Sequence, residues 1–106
     1  MGIMHFGHFR LVQNLLEAVK ATPRARIVVT SSMMHKFGKI NPDSFTEPSC
    51  HRNTMTAYGQ VKLDNLLFTH ELLKRLKCTN VTINVFHPGA VATDIYRDAP
   101  SLAKRV

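Results

Sequence analysis

The 106 residues contain no tryptophan, two cysteines and five glycines, and each shortage excludes something. Cys50 and Cys78 stand in no metal-binding or redox spacing, so they read as reduced thiols and supply no disulfide framework. No apolar run approaches the roughly 20 residues of a membrane span, and the first residues have no signal-peptide pattern. The glycines, at positions 2, 7, 38, 59 and 89, form no cluster, so a Gly-rich phosphate-holding turn is absent. Acidic residues are scarce as well: 7 against 14 Lys and Arg, a formal charge of +7.

What remains is an ordinary globular composition, 44% hydrophobic and 20% charged, with no repeat and no low-complexity tract, enough for one small domain over 1–106. The positive charge invites a nucleic-acid partner. Its bases are scattered, however, and Lys74, Arg75 and Lys77 close a helix, where cations complement the dipole. No aromatic and basic residues interleave on the strand-like runs, so no nucleic-acid partner is expected.

Met4 to Ala21 reads as a helix with Phe9, Val12, Leu16 and Val19 on one stripe, widened by Leu11 and Leu15, and stopped by Pro23. Arg26 to Thr30 is short, apolar and β-branched, the pattern of a buried parallel strand. His35 to Thr54 is polar and punctuated by Gly38, Pro42 and Pro48, hence mostly loop, and a loop of that length inside a compact domain is usually functional. A long helix is expected from Ala57 to Lys77, capped by Thr54 or Thr56, with apolar residues on more than one face. Val81 to Phe86 is a second strand, and Thr93 to Val106 reads as a short helix broken at Pro100. The order helix, strand, helix, strand implies a parallel βαβ crossover and an α/β sheet.

The chemistry concentrates at Tyr58-Gly59-Gln60-Val61-Lys62. A tyrosine and a lysine four apart on a helix share a face, about 5–6 Å apart at Cβ. An ammonium group that close favours phenolate over phenol, drawing an ordinary pKa of about 10 toward neutrality. Such a tyrosine passes a proton to or from a substrate oxygen at physiological pH. The first strand ends in Ser31-Ser32 and the second in His87-Pro88-Gly89, outside the carboxyl ends of parallel strands where ligands of open α/β sheets bind.

In this order, His5-Phe6-Gly7-His8-Phe9, Arg26 to Ser32, Tyr58 to Lys62 with Asn65 to Thr69, and Val81 to Thr93, the chain resembles the short-chain dehydrogenase/reductase family, in its retinol-dehydrogenase-like branch. The resemblance covers nearly the whole chain. It implies a partial Rossmann-type, doubly wound parallel sheet without the N-terminal Gly-rich half. It implies NAD(P)-dependent interconversion of an alcohol and a carbonyl on a lipophilic substrate such as a retinoid or steroid. Ser32, Tyr58 and Lys62 would be catalytic, Ser32 polarising the substrate oxygen as the second serine of its pair. Tyr58, Lys62, Pro88, Gly89 and Thr93 would contact NAD or NADP; the residues that select between them lie in the Gly-rich half.

The family's Asn-His-Leu-Gly-His-Phe stretch here begins with Met4, whose thioether cannot supply the amide that holds a relay water, so proton exchange would slow. His5 and His8, three apart, have no third ligand nearby and read as packing residues, with no metal expected. The resemblance also implies association, homo- or heterodimeric, through helices 4–21 and 57–77. The alternative to an enzyme is therefore a truncated, non-catalytic remnant that binds a full-length relative, and these residues alone are expected to be inactive. Location by resemblance is cytoplasmic or membrane-associated.

Overall fold

The computed structural model describes residues 1–47 and 53–89. A π-helical turn over Gly2–Gly7 runs into helix α1 (His8–Ala21), then strand β1 (Arg26–Thr30). Two short 3-10 helices follow, Met33–Phe37 and Pro42–Phe45, then helix α2 (Thr54–Arg75) and strand β2 (Thr82–Phe86). The strands pair in parallel, Arg26 opposite Thr82 and Thr30 opposite Phe86, which makes α2 the crossover between them. This is the α/β arrangement that the element order implies.

The pleat decides the core. Ile27, Val29, Ile83 and Val85 alternate onto one sheet face and meet Val12, Leu16 and Val19 of α1 with Phe68 and Leu72 of α2 and Leu76 just past its end. The opposite face carries Val28, 61% exposed. Strands whose sequence reads as buried on both sides are thus covered on one.

Element boundaries differ from expectation at both helices, and β2 begins at Thr82 rather than Val81. The first helix opens as a π turn because the His5 and Phe6 N–H groups share the Met1 carbonyl, which widens the turn, and α geometry starts at His8. Of the expected stripe Val12, Leu16 and Val19 are half-buried, while Phe9, Leu11 and Leu15 are exposed. The long helix starts at Thr54, and its cap is Asn53 rather than Thr54 or Thr56: Asn53 Oδ1 accepts the Met55 N–H at 2.8 Å from extended backbone. The helix ends at Arg75, with Lys74 and Arg75 in its last turn both bridging Glu71. The stretch read as loop, His35 to Thr54, holds the second 3-10 helix and the end of the first. Among the described residues no helix is long and apolar enough to cross a membrane. The helix read between Thr93 and Val106 lies outside the described residues, as does Cys50; Cys78 is an exposed free thiol.

Candidate functional site at the carboxyl edge of the sheet

Two parallel strands end at one edge, and the chemistry-bearing residues gather there. The ladder continues one step beyond β1, the Ser31 N–H donating to the Phe86 carbonyl at 2.9 Å. Ser31-Ser32 therefore leave the sheet beside His87-Pro88-Gly89. Buried Ser31 donates its hydroxyl to the Lys62 carbonyl at 2.8 Å and so ties the strand end to α2. Ser32 is half-buried and differently used: its Oγ accepts the Met34 N–H at 3.3 Å and caps the helix Met33–Phe37. That bond occupies a lone pair and leaves the Ser32 O–H as a donor.

Tyr58 and Lys62 stand one turn apart on α2, as their spacing requires, and the contact is closer than a shared face demands. The Lys62 ammonium lies over the Tyr58 ring, 5.3 Å from its centroid, a cation–π arrangement. It also donates to the Thr30 carbonyl at 3.3 Å, which brings the pair to the end of β1. Partial burial holds the Lys62 amine below its usual pKa.

Glycines set how closely the parts approach. Gly38, closing the helix Met33–Phe37, lies against Gly59, the residue after Tyr58; a Cβ on Gly38 would collide with the Gly59 carbonyl oxygen. Gly89 has φ 81°, a left-handed conformation that glycine takes freely, while a Cβ there would meet nothing within 4 Å. Its constraint is backbone shape and not crowding. Pro88 and Gly89 are exposed beyond β2, and Thr93 lies outside the described residues.

The polar residues buried along α2 were not singled out from the sequence. Gln60, 1% exposed, donates its Nε2 hydrogens to Ser44 Oγ at 2.8 Å and to the Asn41 carbonyl at 3.4 Å. Ser44 in turn donates to the Asn41 carbonyl at 2.6 Å, so the segment Asn41–Phe45 is pinned to α2 between Tyr58 and Lys62. Asn65, equally buried, reaches the Met4 carbonyl, the Thr30 carbonyl and His5. The signal that could have found them is the polar stripe Gln60, Asp64, Thr69 with Asn65 beside it, set among the apolar residues Val61, Leu63, Leu66 and Phe68 of the helix. His5 packs as expected, its ring 6.3 Å from that of Phe68 and 5.6 Å from that of Phe6, whereas His8 is exposed.

These residues fit the ribose end of a dinucleotide. The Lys62 ammonium has three N–H groups, and among the described residues one acceptor, Thr30 O, takes one of them. Two remaining donors over the Tyr58 ring, at the carboxyl edge of the sheet, would suit the two hydroxyls of a vicinal diol.

The short chain dehydrogenase model matches residues 1–102. Retinol dehydrogenase 14 of Homo sapiens is 46% identical over 96 residues, covering 91% of this chain and 28% of its own length. Retinol dehydrogenase 12 of Mus musculus is 44% identical over 98 residues, covering 92% of this chain and 31% of its own. Retinol dehydrogenase 13 of Homo sapiens is 42% identical over 96 residues, covering 91% and 29%. The chain thus spans less than a third of the length of these curated relatives. No solved structure matches it at a significant level. With the family match running nearly end to end, and with strand-end serines, Tyr58 and Lys62 assembled at one sheet edge, the chain belongs to the short chain dehydrogenase family.

Proposed function

We propose that residues 1–106 form the catalytic half of an NAD(P)-dependent oxidoreductase domain that interconverts an alcohol and a carbonyl. The substrate class is lipophilic, retinoid- or steroid-like, a reading supported by the retinol dehydrogenase names of the relatives. The observation that carries the assignment is the Lys62 ammonium held between the Tyr58 ring and the Thr30 carbonyl. NAD or NADP supplies the carbon that accepts or releases hydride; these residues do not select between the two.

The chain's own groups divide the remaining work. In reduction the Tyr58 hydroxyl gives its proton to the substrate oxygen, and in oxidation it takes that proton back. Ser32 directs its O–H at the same oxygen, and Ser31, spent on the Lys62 carbonyl, is unsuited to that task. Lys62 offers its remaining N–H donors to the nicotinamide ribose. Pro88 and Gly89 would help hold the nicotinamide end of the cofactor, and Thr93, outside the described residues, would contact it as the family resemblance implies. The test is reduction of a retinaldehyde with NADPH or NADH by the protein carrying these residues. Tyr58→Phe is expected to lower kcat by about 10²–10⁴ at unchanged nucleotide affinity. Wild-type turnover in Tyr58→Phe removes the tyrosine from this role.

A second reading, association with another chain of the family through the helices, is favoured by the exposed Leu11 and Leu15 on α1 and Leu67 and Leu73 on α2. Sedimentation of the chain alone tests it: a monomer at all concentrations rejects self-association.

A further inference from the structure

Asn65 is 1% exposed, and its whole amide is engaged. Nδ2 faces two backbone carbonyls, Met4 at 3.2 Å and Thr30 at 3.5 Å, and Oδ1 faces Nδ1 of His5 at 2.9 Å. Carbonyl oxygens only accept, so the amide hydrogens belong on the side of Met4 and Thr30, and the amide oxygen belongs on the side of the ring. That oxygen also only accepts. His5 Nδ1 must therefore carry a hydrogen, a tautomer dictated by the surrounding acceptors and not by convention.

The same amide reaches the candidate site through one atom. The Thr30 carbonyl accepts from Asn65 Nδ2 and also from Lys62 Nζ at 3.3 Å. Asn65 thus joins the π turn before α1, the last carbonyl of β1 and the helix carrying Tyr58 and Lys62.

We propose that Asn65 is a positioning residue for this site: it fixes the strand-end carbonyl that anchors Lys62 and locks His5 in the Nδ1–H form. The inference deepens the proposed function and rests on it only for what Lys62 does there. A residue that merely filled space would leave both the His5 tautomer and the Thr30 carbonyl indifferent to its amide. Here the amide's donors and acceptor are matched one to one with their partners, and a buried amide mismatched with them would be costly.

The experiment is nuclear magnetic resonance on the 13C,15N-labelled 106-residue chain, at a pH where imidazole is neutral. The expected result for the wild type is His5 with Nδ1 protonated and Nε2 bare, the reverse of the form an exposed neutral imidazole prefers. Asn65→Leu is expected to move the Thr30 carbonyl carbon upfield, as lost hydrogen bonding does. Lys62→Met is expected to move the same carbon in the same direction, while the Phe86 carbonyl, which serves Ser31, stays in place as an internal reference. A bare His5 Nδ1 in the wild type overturns the proposal without any variant, so failure of Asn65→Leu to fold cannot shelter it. An unmoved Thr30 carbonyl in a folded Asn65→Leu overturns it too. Neither readout needs turnover: wild-type turnover in Tyr58→Phe would defeat the proposed function and leave this positioning intact.

Discussion

Gly38→Ala tests how the segment bearing Ser32 is held against the turn bearing Tyr58. The added Cβ would collide with the Gly59 carbonyl oxygen and stand 2.7 Å from its carbon and 3.0 Å from the Gln60 nitrogen. Carbon atoms rest about 3.5–4.0 Å apart, and all three neighbours are backbone atoms of α2 that cannot rotate aside. Relief requires moving the helix Met33–Phe37 or α2 itself, and overpacking of that kind costs about 1–3 kcal/mol. One effect opposes it. Gly38 sits at φ −71° and ψ 143°, which alanine adopts without strain, so the narrower unfolded ensemble of alanine returns about 0.4–1 kcal/mol. The net expectation is a loss of about 1–2 kcal/mol. Gly59→Ala meets milder contacts, the Met34 carbonyl at 2.9 Å and the Gly38 nitrogen at 3.2 Å, and gains up to about 1 kcal/mol of helix propensity inside α2. It should therefore lie between neutral and about 1 kcal/mol destabilising. The ordering is the sharper claim, and urea denaturation reads it as a lower midpoint at unchanged slope. Both methyl groups enter one crevice, so a single displacement accommodates both, and the double variant should cost less than the sum. A Gly38→Ala protein as stable as wild type, or less affected than Gly59→Ala, would mean that the two backbones are not in contact.

Other expectations follow from single contacts. Asn53→Ala removes the cap on Met55 and should cost about 1 kcal/mol, with Asn53→Ser close to wild type; equal loss in both rejects the cap, by thermal denaturation. Gln60→Leu keeps the volume but takes the donor from Ser44 Oγ and the Asn41 carbonyl, an expected loss of about 1–3 kcal/mol with faster amide exchange across 41–47; unchanged exchange there would show that Gln60 does not pin the segment. Burial lowers the Lys62 pKa from its ordinary 10.5, so between the folded and unfolded values the unfolded chain binds more protons and stability rises with pH. The charge penalty is complete below the folded pKa and gone above 10.5, so wild type should gain on Lys62→Met as the pH climbs through that window; a constant difference refutes it.

How much of this was legible beforehand depends on which force each residue obeys. The strands announce themselves because Ile27-Val28-Val29 and Ile83-Asn84-Val85 carry β-branched residues in short runs, and the pleat does the rest. Tyr58 and Lys62 were legible because a spacing of four on a helix has one geometric meaning. The cap was misplaced because Asn53, Thr54 and Thr56 all have capping chemistry, and what selects Asn53 is the extended backbone at that position, a tertiary outcome. Leu11 and Leu15 were placed in the stripe by periodicity, yet burial needs a partner, and the sheet face reaches only as far as Val12, Leu16 and Val19. The burial of Gln60 and Asn65 was not legible for the complementary reason: polarity usually means solvent, and their partners lie 16 or more residues away, on other segments of the chain.

Those two amides explain why α2 can serve both the fold and the site. Its carboxyl half, with Phe68 and Leu72, and Leu76 just past its end bury apolar surface against the sheet, where the interaction is non-directional and tolerates small slides. Its amino half buries Gly59, Gln60 and Asn65, where glycine contacts set distance and hydrogen bonds set direction. A helix held only by its apolar end could slide or rotate and carry Tyr58 with it. Directional contacts at 2.8–3.5 Å to Ser44, Met4 and Thr30, on three separate segments, remove that freedom. The polar half adds little net stability for its degree of burial. What it confers is a fixed azimuth for the Tyr58–Lys62 turn, which is why substitutions there should disturb the site before they unfold the chain.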